Sequence, residues 1–562
     1  MHTLMTDTIN IITPYQQEPL VVPLGTPVTE IFELLKPTLR TAPMNVVVNH
    51  CVRPLHIRLF QDCQLHFIDY THEQGRRTYV RTLQLVISKA VQELALPNRE
   101  TITFEHSISN GIYAVWGNPG NKPAPHEVKA LNEKVLQIIS NNTPIINQRV
   151  PLQQAIQTFT QQGRLTTVEL LKNRGKCYVN CKVLGNFVDF VFGYTLPRTG
   201  MLWGFSITPY EKGLLLSFPN TQQPETLNPK PDQPKIFDAY QRHIQLLNTL
   251  GMEDVGPMNA HIKAGNGADF ITISEALQEK QIARIAEEIA RRHQQGVRIV
   301  LISGPSSSGK TTFSKRLQTQ LMTNLIKPYT LSLDDFFVNR ELTPLDEEGE
   351  YDYEHLHALD LPYLQQTLLN IIQGLEIDMP TFDFVSGARV FKNRKLHLEL
   401  DQILIIEGTH GLNPELIQNL PEESVFRIFV SALTTLSLDP HNYISSSDNR
   451  LLRRMVRDAK YRGISASATI QRWPSVRRGE ERWIFPYQEQ ADAIFNSAML
   501  YELSALRGQA EPLLSQVREI EPEYGEARRL LKLLQLFEPL SYEYMPPTSL
   551  LREFLGGSSY RY

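Results

Sequence analysis

Gly304-Pro305-Ser306-Ser307-Ser308-Gly309-Lys310-Thr311 has the residue types and spacing of a phosphate-binding loop. Gly304 and Gly309 let the backbone curl so that its N–H groups converge on phosphate oxygens. Ser306, Ser307 and Ser308 fill the curl, and Thr312 follows on the first turn of a helical stretch. That helix start adds partial positive charge. Lys310 has the reach for β- and γ-phosphates, and the Thr311 hydroxyl suits Mg²⁺. A serine- and glycine-rich turn matching by chance is the plain alternative. The apolar run 297–302 before the loop and the helical pattern after it argue for nucleotide binding.

Such a loop alone fits a GTPase, an ATPase motor or a small-molecule kinase, so the surrounding residues must decide. A second apolar run ends in Leu333-Asp334-Asp335. A carboxylate there, beyond a strand's carboxyl end, suits a general base for an attacking hydroxyl, a metal ligand, or merely a helix cap. A third run ends in Ile406-Glu407-Gly408, where an acidic side chain suits Mg²⁺ or its water shell. Arg450, Arg453, Arg454 and Arg457 fall at i, i+3, i+4 and i+7, one helical stripe of cations that a triphosphate would neutralise. Asp448 and Asp458 offer partial pairing within the stripe, leaving a solvated basic helix as the alternative. The stretch 462–482 reads as a lid over the phosphates.

The elements that must hold these groups alternate. Strand candidates at 297–302, 329–333, 403–406, 426–430 and 493–495 are separated by helical stretches, which indicates a buried parallel sheet with helices on both faces. A long helical pattern with Ile282, Ile285, Ala286 and Ile289 precedes them and ends by Gly296. Upstream, 9–12, 20–22, 45–48 and 64–68 read as strands around a helix at 28–35, a small α+β unit. Leu83, Val86, Ile87, Ala90 and Val91 then mark a helix over 79–94. Residues 221–234, rich in Pro, Gln, Asn and Thr, read as a linker. The leucines at 530–536 mark a helical tail expected to pack rather than to catalyse.

A chain of 562 residues at 41% hydrophobic and 21% charged is globular and long enough for about three or four domains. Its net charge of −4 gives no global field for nucleic acid. Cys51, Cys63, Cys177 and Cys181 form neither a disulfide framework nor a zinc pattern; buried free thiols are expected, with a shared helix face open for the last two. The first residues lack a signal-peptide pattern and no apolar run reaches membrane-spanning length, so a cytoplasmic setting without membrane contact is expected.

Residues 297–500 resemble the uridine kinase and phosphoribulokinase group of P-loop kinases. The similarity lies in the loop, "LSLDDFF", "YDYEHLHALD", "MPTFDFVSGAR", "LIIEG" and "DNRLLRRMVRDAKYRG", in that order. It implies Asp334 as catalytic base beside Lys310. It also implies ATP as co-substrate, Mg²⁺ on Thr311 and Glu407, Arg453, Arg454 and Arg457 on ATP, and Asp352, Phe382, Arg389 and Arg450 on the acceptor. The sequence departs from uridine kinases at Phe382 and Gly387, where they carry a tyrosine and a histidine that contact the pyrimidine. A site built to hydrogen-bond a base discriminates through such groups.

Residues 8–70 resemble the TGS domain of threonyl-tRNA synthetases. Residues 71–220 resemble those enzymes' second additional domain, through "EQGRRTYVRTLQLVISKAVQEL", "SNGIYAVW" and, more weakly, "VDFVFGYTLP". The positions of its metal-binding histidines and cysteine read Arg81, Leu85, Val191 and Thr195, so no zinc is expected. This half is read as a retained scaffold, with RNA, a nucleotide or another protein as candidate ligand and pure packing as the alternative.

The expected organisation is a TGS-like unit over 1–70, a synthetase-like unit over 71–220, connecting helices over 221–270, a kinase-like α/β domain over 271–500 and a helical extension over 501–562. The expected activity is transfer of the γ-phosphoryl of ATP to a hydroxyl of a small, nucleoside-like acceptor. The alternatives are a kinase of a non-nucleoside sugar and an ATP-binding protein that senses RNA or a nucleotide. Oligomerisation and a preference for GTP over ATP stay open.

Overall fold

The computed structural model describes residues 7–346, 349–383, 386–399 and 401–561. The first six residues, part of the reading of the N-terminus, and Phe384 and Val385 of the "MPTFDFVSGAR" segment lie outside them.

A five-stranded sheet comes first, in the order Leu20–Pro23, Thr8–Ile12, Cys63–Ile68, Asn45–Val48, Cys51–Arg53. Helix Val28–Leu35 covers it, burying Val28 and Ile31 against Ile9, Ile11 and Leu65. The three-residue strand Cys51–Arg53 was not expected, because so short a segment carries no alternation to read.

Helix Glu73–Leu94 buries all five apolar residues of its expected stripe. They pack with Phe104, Ala114 and Leu216 of a four-stranded antiparallel sheet. A three-stranded antiparallel sheet follows, with Tyr178–Leu184 at its centre. Cys181 is buried on that strand and Cys177 is exposed just before it, so the two do not share a helix face, and Cys177 is not a buried thiol.

Residues 221–233 are irregular and lead into helix Pro234–Leu250. Helix Gly267–His293 buries Ile282, Ala286 and Ile289. It introduces a five-stranded parallel sheet in the order Lys327–Ser332, Gln402–Glu407, Ile299–Ser303, Val425–Ser431, Ala493–Asn496. Alternate residues feed two cores. Val300, Ile302, Ile403 and Ile405 pack on one side, and Ile299, Leu301, Leu404 and Ile406 on the other. That double burial is why these strands read as unbroken apolar runs.

The halves share apolar cores, Phe159, Leu170 and Phe190 clustering with Leu438 and Met455, and they also meet through polar contacts. Asp439 accepts hydrogen bonds from Arg164 (3.2 Å) and Thr167 (2.9 Å), and Asp448 pairs with Arg77 (3.1 Å) and Arg529 (2.7 Å). Asp448 therefore serves the interface between N-terminal half, arginine helix and C-terminal helix Tyr524–Leu534, not the arginine stripe as expected. Among the described residues no helix is long and apolar enough to cross a membrane.

Candidate active site

Sheet register assembles the site. Glu407 lies level with Ile302 on one neighbour and with Ser332 on the other. The start of the phosphate loop, the Asp334 turn and Glu407 therefore emerge side by side at the carboxyl ends of three adjacent strands, where open α/β sheets bind ligands. Together with the loop they line a cavity of about 740 Å³.

The loop backbone is strained. Gly304 has φ +158°, and a Cβ there would stand 1.9 Å from the Val430 carbonyl oxygen. Gly309 has φ +84°, and Ser307 takes a left-handed φ of 59° without being glycine. The Ser307 and Ser308 hydroxyls are buried and have no hydrogen-bond partner among the described residues. Lys310 Nζ folds back on the loop, donating to the carbonyls of Gly304 (2.8 Å) and Pro305 (3.3 Å). Burial lowers its pKa, against the pull of Glu407 and Asp334.

Thr311 Oγ1 donates to Glu407 Oε1 at 3.0 Å, and Glu407 Oε2 is buried without a partner. A hydroxyl and an unsatisfied carboxylate oxygen at a phosphate loop are a donor set that fits Mg²⁺. Among the described residues no group of three or more His, Cys, Asp or Glu is placed to hold a metal. Burial raises the pKa of Glu407, Lys310 opposing.

Asp334 is not the helix cap. Ser332 takes that place, its hydroxyl accepting from the Asp334 N–H at 3.2 Å. This frees the Asp334 side chain to face the cavity. It contacts the cavity's solvent, yet crowding by protein still lifts its pKa, with Lys310 opposing. Asp335 points elsewhere, 3.5 Å from Arg394.

The arginine stripe divides. Helix Ser446–Arg462 presents Arg454 and Arg457 to the cavity, where Arg454 also donates to Ser306 Oγ at 2.8 Å. Both pair with Asp458, as does Arg462. Arg450 and Arg453 do not line the cavity. Arg450 is 2% exposed and paired with Glu480; Arg453 is fully buried and paired with Glu502. They reach the loop from behind, donating to the carbonyls of Ser306 (3.0 Å) and Ser307 (3.4 Å). The expectation put these two on acceptor and ATP; the structure places both outside the cavity wall, buried and bracing the loop.

The expected lid is a helix, Ala466–Trp483, whose Glu480 accepts from the Ser306 N–H (3.0 Å) as well as from Arg450. It is thus tied to the loop rather than swung clear of it.

On the acceptor side Phe382 lines the cavity, edge-on to Phe337 with ring centroids 5.5 Å apart. Arg389 does not. It donates to Asp360 (2.8 Å) and to the Phe337 carbonyl (3.3 Å), lies over the Tyr363 ring and so holds the Phe337 turn. Asp352 accepts from the Glu354 N–H (3.0 Å) and is absent from the wall that Tyr353 and Glu354 form.

Arg462 and Arg472 of the expected lid line the cavity, and three lining residues were not singled out from sequence: Arg340, Glu354 and Glu553. Burial pushes the Glu354 carboxyl up to about 7, Arg454 opposing. It sits two residues beyond Asp352, so the same segment carried the signal. Glu553 had none, because it comes from the tail read as packing. In the N-terminal half the Arg81 guanidinium lies against Gly193, where a Cβ would be 2.6 Å away; Leu85 and Thr195 are buried.

The family model described as "Phosphoribulokinase / Uridine kinase family" matches residues 299–503. A uridine kinase of Lactobacillus helveticus (strain DPC 4571) is 28% identical over 198 residues, which is 35% of this chain and 84% of that protein. A uridine kinase of Staphylococcus aureus (strain JH9) is 27% identical over 197 residues, 35% of this chain and 86% of that protein. Among solved structures, a D-glycerate 3-kinase from Cryptococcus neoformans is 15% identical with a TM-score of 0.22, covering 46% of this chain and 87% of that one. Residues 299–503, which hold the loop, Asp334, Glu407 and the arginine helix, are thus a P-loop kinase domain of the phosphoribulokinase and uridine kinase family.

Proposed function

We propose that the protein transfers the γ-phosphoryl group of ATP to a hydroxyl of a small, nucleoside-like acceptor. The observation that carries this reading is the Thr311–Glu407 pair, with its free carboxylate oxygen, opening on the same cavity as Lys310 and Asp334. The loop amides and the orphaned Ser307 and Ser308 hydroxyls receive the donor phosphates. Lys310 exchanges its two loop carbonyls for phosphate oxygens. Thr311 and Glu407 would hold Mg²⁺, which would supply charge neutralisation for the phosphates. Asp334 accepts the proton of the attacking hydroxyl, and Arg454, Arg457 and Arg462 offset the negative charge on the moving group. Positioning and electrostatics do most of the work in such transfers.

One observation favours a second acceptor class. At Gly387 (φ +70°) a Cβ would stand 2.7 Å from Arg340 Nε, so the cavity's Arg340 occupies the room that a side chain there would need. A guanidinium in that place suits an acceptor bearing phosphate or carboxylate. ADP release over a panel of nucleosides and sugar phosphates separates the two. Turnover stimulated by nucleosides supports the first, and turnover confined to anionic sugars that is lost in Arg340→Ala supports the second. No stimulation by any hydroxyl acceptor refutes both.

The N-terminal half we read as a scaffold related to the TGS and second additional domains of threonyl-tRNA synthetases, and the chain as cytoplasmic. RNA co-purifying with residues 1–220 present and lost without them would give that scaffold a ligand.

A further inference from the structure

We propose that Glu553 is an internal anion at the donor phosphate site, holding the first turn of the loop helix until a donor phosphate displaces its carboxylate. The inference rests on the loop being the ATP site.

Glu553 Oε2 accepts from Thr312 Oγ1 at 2.6 Å and from the Thr312 N–H at 3.4 Å. Thr312 is the third residue of helix Lys310–Thr323, whose first backbone N–H groups have no partner within the helix. Those are the groups a phosphate loop offers to the α- and β-phosphates. A carboxylate therefore stands where an anion is expected. Beside it, in the same loop, Ser307 and Ser308 are 5% and 0% exposed and their buried hydroxyls have no hydrogen-bond partner among the described residues, so the cradle around the carboxylate is only partly satisfied.

The segment that carries Glu553 is fixed. Leu550, Leu551, Phe554 and Leu555 are all buried in the main core. Leu550 fills the space over Gly309, where a Cβ would come within 2.5 Å of its methyl group. Lys460 of the arginine helix donates to the Leu555 carbonyl (2.6 Å), and Arg453 lies over the Phe554 ring. Release of this segment is not needed. Glu553 alone projects into the cavity, and rotation of its side chain would clear Thr312. Left in place, it would face the donor phosphates as a like charge at hydrogen-bond range.

Titration calorimetry of a non-hydrolysable ATP analogue with Mg²⁺ tests this on the full chain. The proteins are wild type, Glu553→Gln, Glu553→Ala and Lys310→Ala, each checked for an unchanged unfolding midpoint without ligand. Expected is binding roughly five- to tenfold tighter in Glu553→Ala, with Glu553→Gln, which keeps an acceptor for Thr312 but no charge, in between. Unchanged or weaker binding in both Glu553 variants overturns the proposal. Loss of binding in Lys310→Ala shows the ATP reading to stand whatever Glu553 does. Absence of binding in wild type and in Glu553→Ala alike overturns both.

Discussion

Two pairs of arginines on one helix do opposite work. Arg450 and Arg453 lie one turn apart from Arg454 and Arg457 on the same stripe, and sequence treats all four alike. The structure buries the first pair against Glu480 and Glu502 and turns the second pair to the cavity, sharing Asp458. The lesson is that a cationic stripe can serve a phosphate site from both sides. One rank grips the outer carbonyls of the loop and holds its shape. The other offers charge to whatever the loop binds.

The comparison breaks first on stability. Removing Arg453 alone, as Arg453→Met, leaves Glu502 as a buried unpaired charge. Expected is a loss of about 3–5 kcal/mol in urea unfolding, largely restored by adding Glu502→Leu. A loss under 1 kcal/mol would place Arg453 with the cavity pair. The cavity pair should respond in function instead. Arg454→Ala is expected to weaken ATP-analogue binding about tenfold, the scale of one charge-assisted contact, with little change in stability.

A smaller effect concerns pH. Glu354 has a folded pKa of about 7 against an ordinary 4.5, so the folded state holds its proton more tightly than the unfolded one. Its stabilising contribution is complete below pH 4.5 and is lost as pH rises through 7. Glu354→Gln should flatten the stability profile over that window, read by urea unfolding at each pH. An unaltered slope would mean that Arg454 keeps Glu354 ionised throughout.

Much of the donor side was legible beforehand. The three central strands of the parallel sheet announce themselves because burial on both faces makes them nearly continuous apolar runs, while the edge strand Lys327–Ser332 is only partly buried. The loop, Thr311 and Glu407 were legible because phosphate chemistry constrains residue type at fixed spacing. Which arginines face inward was not, since the deciding partners Glu480 and Glu502 lie 30 and 49 positions along the chain. Asp352 and Arg389 show the same limit, because a local motif does not say which of its members turns toward the cavity. Glu553 was invisible for a stronger reason. Nothing in the composition of a leucine-rich tail indicates that one of its acids reaches Thr312, 241 residues upstream.

The central claim is that Asp334, facing Lys310 across the cavity, takes the proton of an acceptor hydroxyl. Acceptor-dependent ADP release by Asp334→Asn tests it most directly, with Glu354→Gln as the neighbouring carboxylate control. Expected is a fall in kcat of about 10²- to 10⁴-fold in Asp334→Asn with donor binding retained, and a much smaller fall in Glu354→Gln. Turnover near the wild-type level in Asp334→Asn would contradict the account.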